Sequence, residues 1–172
     1  MPALAASVIF TTYNQPDWLE EVLLGFAAQS RLDFEVIVAD DGSGEETRER
    51  IARLLPGLPM PVRHLWQPDE GFRKCLALNR AIVASASDYL IFTDGDCIPR
   101  RDFVATLRLR EPGRFLSGGY HKLPMATSRR IGADDIASGR CFDVGWLRAH
   151  GMPASRRDLK LLAGPRLGLL LD

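Results

Sequence analysis

Short apolar runs alternate with helical stretches over roughly the first hundred residues, and this alternation limits the fold more than any other feature of the chain. Ala6 to Thr12 and Phe34 to Ala39 have strand length and are rich in β-branched and aromatic residues. Val62 to Trp66 and the run from Tyr89 to Thr93 repeat the pattern. Three helices are predicted between them. The first runs from Pro16, well suited to a first helical turn, to Gln29. Its apolar stripe is Trp18, Leu19, Val22, Leu23 and Phe26, with Glu20 and Glu21 facing water. The second starts at Ser43, which stands at capping-box spacing from Glu46, and runs to about Leu55. The third spans about Arg73 to Ser85. Strand–helix repeats of this kind predict an α/β fold, with a mostly parallel central sheet between two helical layers and right-handed crossovers.

In such sheets ligands bind beyond the carboxyl ends of the strands. Three strands end in polar tips: Thr11 to Asn14, Asp40 with Asp41, and Asp94 with Asp96. A parallel sheet sets all three on one rim, which points to a nucleotide pocket. Asp94 and Asp96 are separated by one residue, so an extended backbone turns both to the same side. Gly95 is expected to leave room there for a ligand to approach the backbone. Two hard oxygen donors side by side suit Mg²⁺ or Mn²⁺ together with phosphates.

Several function classes are excluded. Lys+Arg and Asp+Glu both number 22, a balance that argues against a general nucleic-acid binder. There is no Gly-x-x-x-x-Gly-Lys loop and no Gly-x-Gly-x-x-Gly, so ATPase and dinucleotide readings fail. Cys75, Cys97 and Cys141 show no metal-ligand spacing, and their odd number suits a reducing cytosol. No apolar run reaches about 18 residues, and Met1 to Leu4 carries no basic region, so neither a membrane span nor a signal peptide is predicted. After Asp96 the pattern loosens. A helix is expected from Pro99 to about Glu111, with Phe103, Val104 and Leu107 inward, then a strand through Phe115 to Leu123 and a helix over Arg156 to Leu162. Basic Arg156, Arg157, Lys160 and Arg166 interleave with leucines, a mix suited to a helix covering the domain or to peripheral contact with an anionic membrane.

Four pieces of the chain stand out together: Thr11-Thr12-Tyr13-Asn14, then Val38-Ala39-Asp40-Asp41-Gly42-Ser43, then Gly71-Phe72-Arg73-Lys74 with Ala77-Leu78-Asn79-Arg80-Ala81, and Phe92-Thr93-Asp94-Gly95-Asp96. In their order and spacing they resemble the family 2 glycosyltransferases of GT-A fold. The resemblance covers about residues 5 to 125, and Gly-Phe-Arg-Lys is similar to the bacterial branch acting on surface polysaccharides, chondroitin-polymerase-like enzymes included. It implies a donor-binding domain over residues 1–125. Residues 126–172 would be an incomplete acceptor-side extension, truncated from a longer enzyme. Thr11 and Tyr13 would line the nucleobase, with Asn14 holding the turn. Asp40 or Asp41 would accept the uracil N3–H. Arg73, Lys74 and Asn79 would face the donor. Asp94 would contact ribose or metal, and Asp96 would bind the Mn²⁺ or Mg²⁺ that bridges the diphosphate. The implied activity is transfer of a sugar, with inversion, from a UDP-sugar to a saccharide or lipid-linked acceptor in bacterial polysaccharide biosynthesis, in the cytoplasm or at the inner membrane.

One part of the family pattern is absent. The catalytic base of the family lies in an acidic Glu-Asp-x-Glu type of motif after the Asp-x-Asp, and no such motif occurs here. Asp134-Asp135 is the one acidic pair after Asp96, in the unfamiliar context Ile131-Gly132-Ala133, and supplies the candidates for that base; the alternative is a helix N-terminus. His121 shows no motif and reads as a structural residue, with a place at the pocket rim after the next strand as the alternative. A non-catalytic nucleotide-sugar binding module is therefore the alternative to a complete transferase. A nucleotidyltransferase ranks last, because the first strand is not followed by a Gly-rich basic loop.

Overall fold

The computed structural model describes residues 4–107, 116–155 and 158. Four strands, β1 (Ala6–Thr12), β2 (Phe34–Asp40), β3 (Val62–Trp66) and β4 (Leu90–Asp94), form one parallel sheet in the order β3-β2-β1-β4. Helices α1 (Pro16–Ala27), α2 (Glu45–Leu54) and α3 (Lys74–Ala84) fill the crossovers. β1 is central, so both its faces are buried, and its near-continuous apolar run follows from that position. Ala6, Val8 and Phe10 pack with Val36 and Val38 against Leu19, Val22, Leu23 and Phe26 of α1 and Ile51 of α2. The alternate residues Ile9, Ile37 and Ala39 pack against Ala77 and Ala81 of α3. Period-2 alternation thus sends one set of side chains to each helical layer.

The expected α/β architecture is the observed one, with three local differences. First, α2 does not use the capping box read from Ser43 and Glu46. Its N-cap is Gly44, without a side-chain cap, because Ser43 Oγ accepts the Asn14 N–H at 3.0 Å instead. Second, residues 116–124 form neither strand nor helix. Third, α4 (Phe103–Leu107) starts later than Pro99. Val104 is fully buried and Phe103 packs on the core, as expected. The rest of that predicted helix beyond residue 107, and most of the one over Arg156 to Leu162, lie outside the described residues.

Three further short helices, α5 (Met125–Ser128), α6 (Ala133–Ser138) and α7 (Val144–Ala149), follow in a part of the chain to which the sequence pattern assigns no element. Ile131, Ile136 and Cys141 there form a small cluster with Leu24 of α1 and Ile98. This packing changes the environment of α1. Glu20 bonds Arg50 of α2 at 2.5 Å, and Glu21, expected to face water, has a buried Oε2 with no partner. Burial, with Asp17 and Glu20 adding negative charge, pushes the Glu21 carboxyl up to about 7. No helix among the described residues is long and apolar enough to cross a membrane.

A carboxyl raised from 4.5 to about 7 on folding binds its proton more tightly in the native state. Its penalty is therefore absent below the unfolded value and grows as pH rises through the folded one. Glu21→Gln is expected to raise stability by about 1–3 kcal/mol near pH 8 and to leave it unchanged near pH 4, read from urea unfolding at both pH values. An equal effect at the two pH values would count against a buried, protonated Glu21.

Candidate functional site

The sheet register fixes the rim of the site. Thr12 of β1 lies opposite Asp40 of β2, and Thr11 opposite Asp94 of β4, so the three polar tips adjoin as read from the sequence. The loops that follow are tied to one another by polar side chains. Asn14, at φ 50°, donates its N–H to Ser43 and accepts the Gly44 N–H on Oδ1 at 2.8 Å, which is the turn-holding role expected of it. Trp66 Nε1 donates to the Ser43 carbonyl at 3.0 Å. The Tyr13 hydroxyl donates to Asp69 Oδ2 at 2.9 Å, and Asp69, by that bond and its charge, raises the phenol above its usual range. Half of Tyr13 remains open to solvent (49%).

Asp40 and Asp41 take different positions. Asp40 is fully enclosed; its Oδ1 accepts the Ser43 N–H at 2.7 Å and its Oδ2 meets His64 Nε2 at 2.7 Å. Burial alone pushes this carboxyl up, but the bonds from His64 and Ser43 outweigh it and hold Asp40 below the usual carboxylate range. Asp41 is 6% exposed. Its Oδ1 accepts Gln67 Nε2 at 2.6 Å and its Oδ2 accepts the Arg73 N–H at 2.8 Å. The chain after Asp41 turns at Gly42, with φ 99°, and packs so closely on Asp69 that a Cβ there would lie 2.6 Å from Asp69 Cα. Only glycine meets both conditions.

The carboxylates after β4 converge by a turn, not by an extended strand. β4 ends at Asp94, and the Cys97 N–H bonds the Asp94 carbonyl at 3.3 Å. Carboxylate oxygens of Asp94 and Asp96 and the Cys97 Sγ all lie within 4.8 Å of one another, and both carboxylates are exposed. The two carboxylates are hard donors that fit Mn²⁺ or Mg²⁺; the thiol is a softer third donor. Burial, with Asp96 beside it, pushes the Cys97 thiol up to about 11. Gly95 does not make room for a ligand, as its sequence position suggested. A Cβ there would stand 2.3 Å from the Thr11 carbonyl oxygen, so the missing side chain admits β1 itself.

The basic residues separate as well. Lys74 Nζ lies 3.4 Å from Asp94 Oδ1, beside the acidic turn. Arg73 turns back on its own loop, to Glu70 at 2.6 Å and to the Pro68 carbonyl at 3.0 Å. Asn79 is exposed on α3 and lines a shallow cleft with Arg80, Val83 and Ala84. Asp135 accepts the Gly132 N–H at 3.0 Å and the Arg140 guanidinium at 2.7 Å, which hold it ionised at the start of α6. That is the helix-terminus alternative, and it leaves Asp135 poorly suited to take a proton. Asp134 is exposed on the same short helix. His121 meets Asp158 at 3.2 Å, and Asp158 also bonds Arg148 at 2.7 Å. His64, Gln67, Asp69 and Cys97 were not picked out from the sequence. The available signal was position, since His64 and Gln67 lie in and just after β3 and Cys97 directly follows the acidic pair.

Two outcomes test this geometry. Because Asp40 is held below its unfolded value of 3.8, its contribution is present above that value and lost as pH falls through the folded one. Asp40→Asn should lower stability near pH 6 and flatten the acid limb of the unfolding-midpoint curve below about pH 4; parallel curves for the two proteins would remove Asp40 from this role. Gly95→Ala should cost about 1–3 kcal/mol in urea unfolding through overpacking against β1, and a neutral result would mean that the turn is free to move.

The comparisons with known proteins agree with this architecture. The sequence model of Glycosyl transferase family 2 matches residues 7–108, which takes in all four strands and the acidic turn. Chondroitin synthase of Escherichia coli is 34% identical over 94 residues, covering 54% of this chain and 13% of that protein. Validoxylamine A glucosyltransferase of Streptomyces hygroscopicus is 29% identical over 109 residues, 62% of this chain and 25% of that protein. The chain thus spans a quarter or less of the length of these two curated relatives. Among solved structures, a mannosyltransferase from Pyrobaculum calidifontis in complex with GDP-Man and Mn²⁺ superposes with a TM-score of 0.56 at 29% identity, over 62% of this chain and 32% of that one. With a family match over more than half of its length and a parallel sheet carrying an acidic turn at its rim, this chain belongs to the family 2 glycosyltransferases and has their GT-A fold.

Proposed function

We propose that this chain forms the donor site of a metal-assisted, inverting transferase that takes its sugar from a nucleoside diphosphate, with UDP-sugars as the first choice. The observation that carries the reading is the convergence of Asp94 and Asp96 beside Lys74 on the rim that also holds Tyr13 and Asp41. Similarity to a mannosyltransferase in complex with GDP-Man and Mn²⁺ supports the same ligand class. Tyr13, half open, offers its ring to the base. Asp41 is assigned the ring N–H of the base in preference to Asp40, because Asp40 is fully enclosed whereas Asp41 keeps a small exposure at the rim. Thr11 lines the base pocket beside them.

Asp96 and Asp94 would hold a divalent cation, Mn²⁺ or Mg²⁺, which when bound supplies Lewis-acid neutralisation of the leaving diphosphate. Lys74 adds positive charge on the same side. Asp94 has two roles open to it, the ribose and the cation. A saccharide or lipid-linked hydroxyl is the proposed acceptor, attacking the anomeric carbon from the face opposite the diphosphate. The group that removes its proton is assigned to neither Asp134 nor Asp135. The engagement of Asp135 by Gly132 and Arg140 favours a second reading, in which the chain binds the donor without transferring its sugar.

Calorimetric titration of UDP, and of GDP in parallel, into the chain with and without Mn²⁺ tests the donor site. Binding of UDP is expected to tighten at least about tenfold with Mn²⁺ in the unaltered chain, and Asp96→Asn is expected to lose that gain. A folded chain that binds neither nucleotide in any condition would remove the proposal and leave the fold alone.

A further inference from the structure

A buried hydrogen-bond chain behind Asp41 extends the donor-site reading, on which it rests. Gln67 is 1% exposed. Its backbone N–H donates to the Asp40 carbonyl at 3.2 Å, which fixes the residue at the end of β3. Its side-chain Nε2 donates to Asp41 Oδ1 at 2.6 Å and lies 3.5 Å from the Arg73 carbonyl. Its Oε1 accepts Arg80 Nη1 at 3.1 Å. An amide can often be turned over without changing its shape, but this one cannot. A guanidinium only donates and an ionised carboxylate only accepts, so Arg80 dictates which end of the amide reaches Asp41. The second oxygen of Asp41 is fixed independently by the Arg73 N–H. Both oxygens of the carboxylate are therefore aimed before any ligand arrives.

We propose that Gln67 and Arg80 are positioning residues that orient Asp41 and thereby set which bases the donor site accepts. An acceptor-only carboxylate matches a base that presents a ring N–H, as uracil does at N3 and guanine at N1. Cytosine and adenine present a bare ring nitrogen in the corresponding place, and two acceptors then face each other without a proton. The discrimination depends on the orientation of the carboxylate, because a hydrogen bond bent by more than about 60° from linear is largely lost. Arg80 works through Gln67 and has no other role in the recognition of the base.

The test is the ratio of UDP to CDP affinity, measured by calorimetry with Mn²⁺ on the full chain. Gln67→Leu removes the donor to Asp41 and is expected to cut the ratio about tenfold. Gln67→Glu still accepts from Arg80 but sets a carboxylate against Asp41, and should cut the ratio at least as far. Arg80→Ala alters an exposed residue, leaves the fold intact and frees the amide to turn; the expected fall is about threefold. In an Asp41→Asn background, Arg80→Ala should have no further effect on the ratio. A merely structural role would lower the unfolding temperature and weaken UDP and CDP in proportion. An unchanged ratio in folded Arg80→Ala and Gln67→Leu overturns the inference while the donor site stands. Failure of the unaltered chain to bind any nucleotide overturns both.

Discussion

The parallel register of β1 with its two neighbours is the constraint on which the rest of the molecule depends. Thr12 faces Asp40 on one side, and Thr11 faces Asp94 on the other. A slip of one residue in either pairing would exchange the faces of a whole strand, sending Ile9 toward α1 and Phe10 toward α3. It would also part the acidic turn from the loops that the β1 tip joins. The bulk of Phe10 and Phe26 on one face, against the alanines of α3 on the other, makes such a slip costly. Packing in the core therefore sets the position of carboxylates that lie outside it. The fit at Gly95 shows how tight the coupling is, since the acidic turn rests directly on the Thr11 carbonyl.

Above the sheet the loops are organised by polar side chains that bond backbone groups of other loops. Asn14 joins the β1 loop to the β2 loop, Trp66 and Gln67 join the β3 end to it, and Tyr13 reaches Asp69. Such bonds individually stabilise by about 0.5–1.5 kcal/mol, but together they leave the loops little freedom to lose when a ligand arrives. These bonds brace the loops of the rim against one another. Asp40 belongs to this framework and Asp41 stands at its edge, which explains why two adjacent carboxylates of the same type have different environments.

The layered architecture was legible because it depends on short-range patterning. β1 and β3 have the limits read from the sequence, and Pro16 opens α1 as its ring geometry demands. The convergence of the tips was legible for the same reason, since a parallel sheet leaves no alternative. What failed to show was what depends on long-range partners. Ser43 looked like a cap for α2 and is taken by Asn14, distant in sequence. Glu21 looked solvated because α6, which packs on α1, is more than about a hundred residues away in the chain. Gly95 looked like space for a ligand, and only the fold shows that β1 occupies it. Asp40 and Asp41 could not be told apart, because His64 and Gln67 make the distinction and neither stands near them in sequence.

The strand order also has a consequence in time. β2 adds to β1 and β3 adds to β2, each by a connection to the next segment of chain, whereas β4 must return to the far side of β1, setting Leu90 opposite Ser7. Closing that longer loop costs more entropy and is rewarded only once its end arrives. As the chain leaves the ribosome, β1, β2 and β3 with the Asn14, Ser43 and Gln67 bonds can assemble while the acidic turn is still unmade. The half of the pocket assigned to the base is then the older part of each molecule. The half assigned to the cation is fitted to it last, when Gly95 closes on the Thr11 carbonyl.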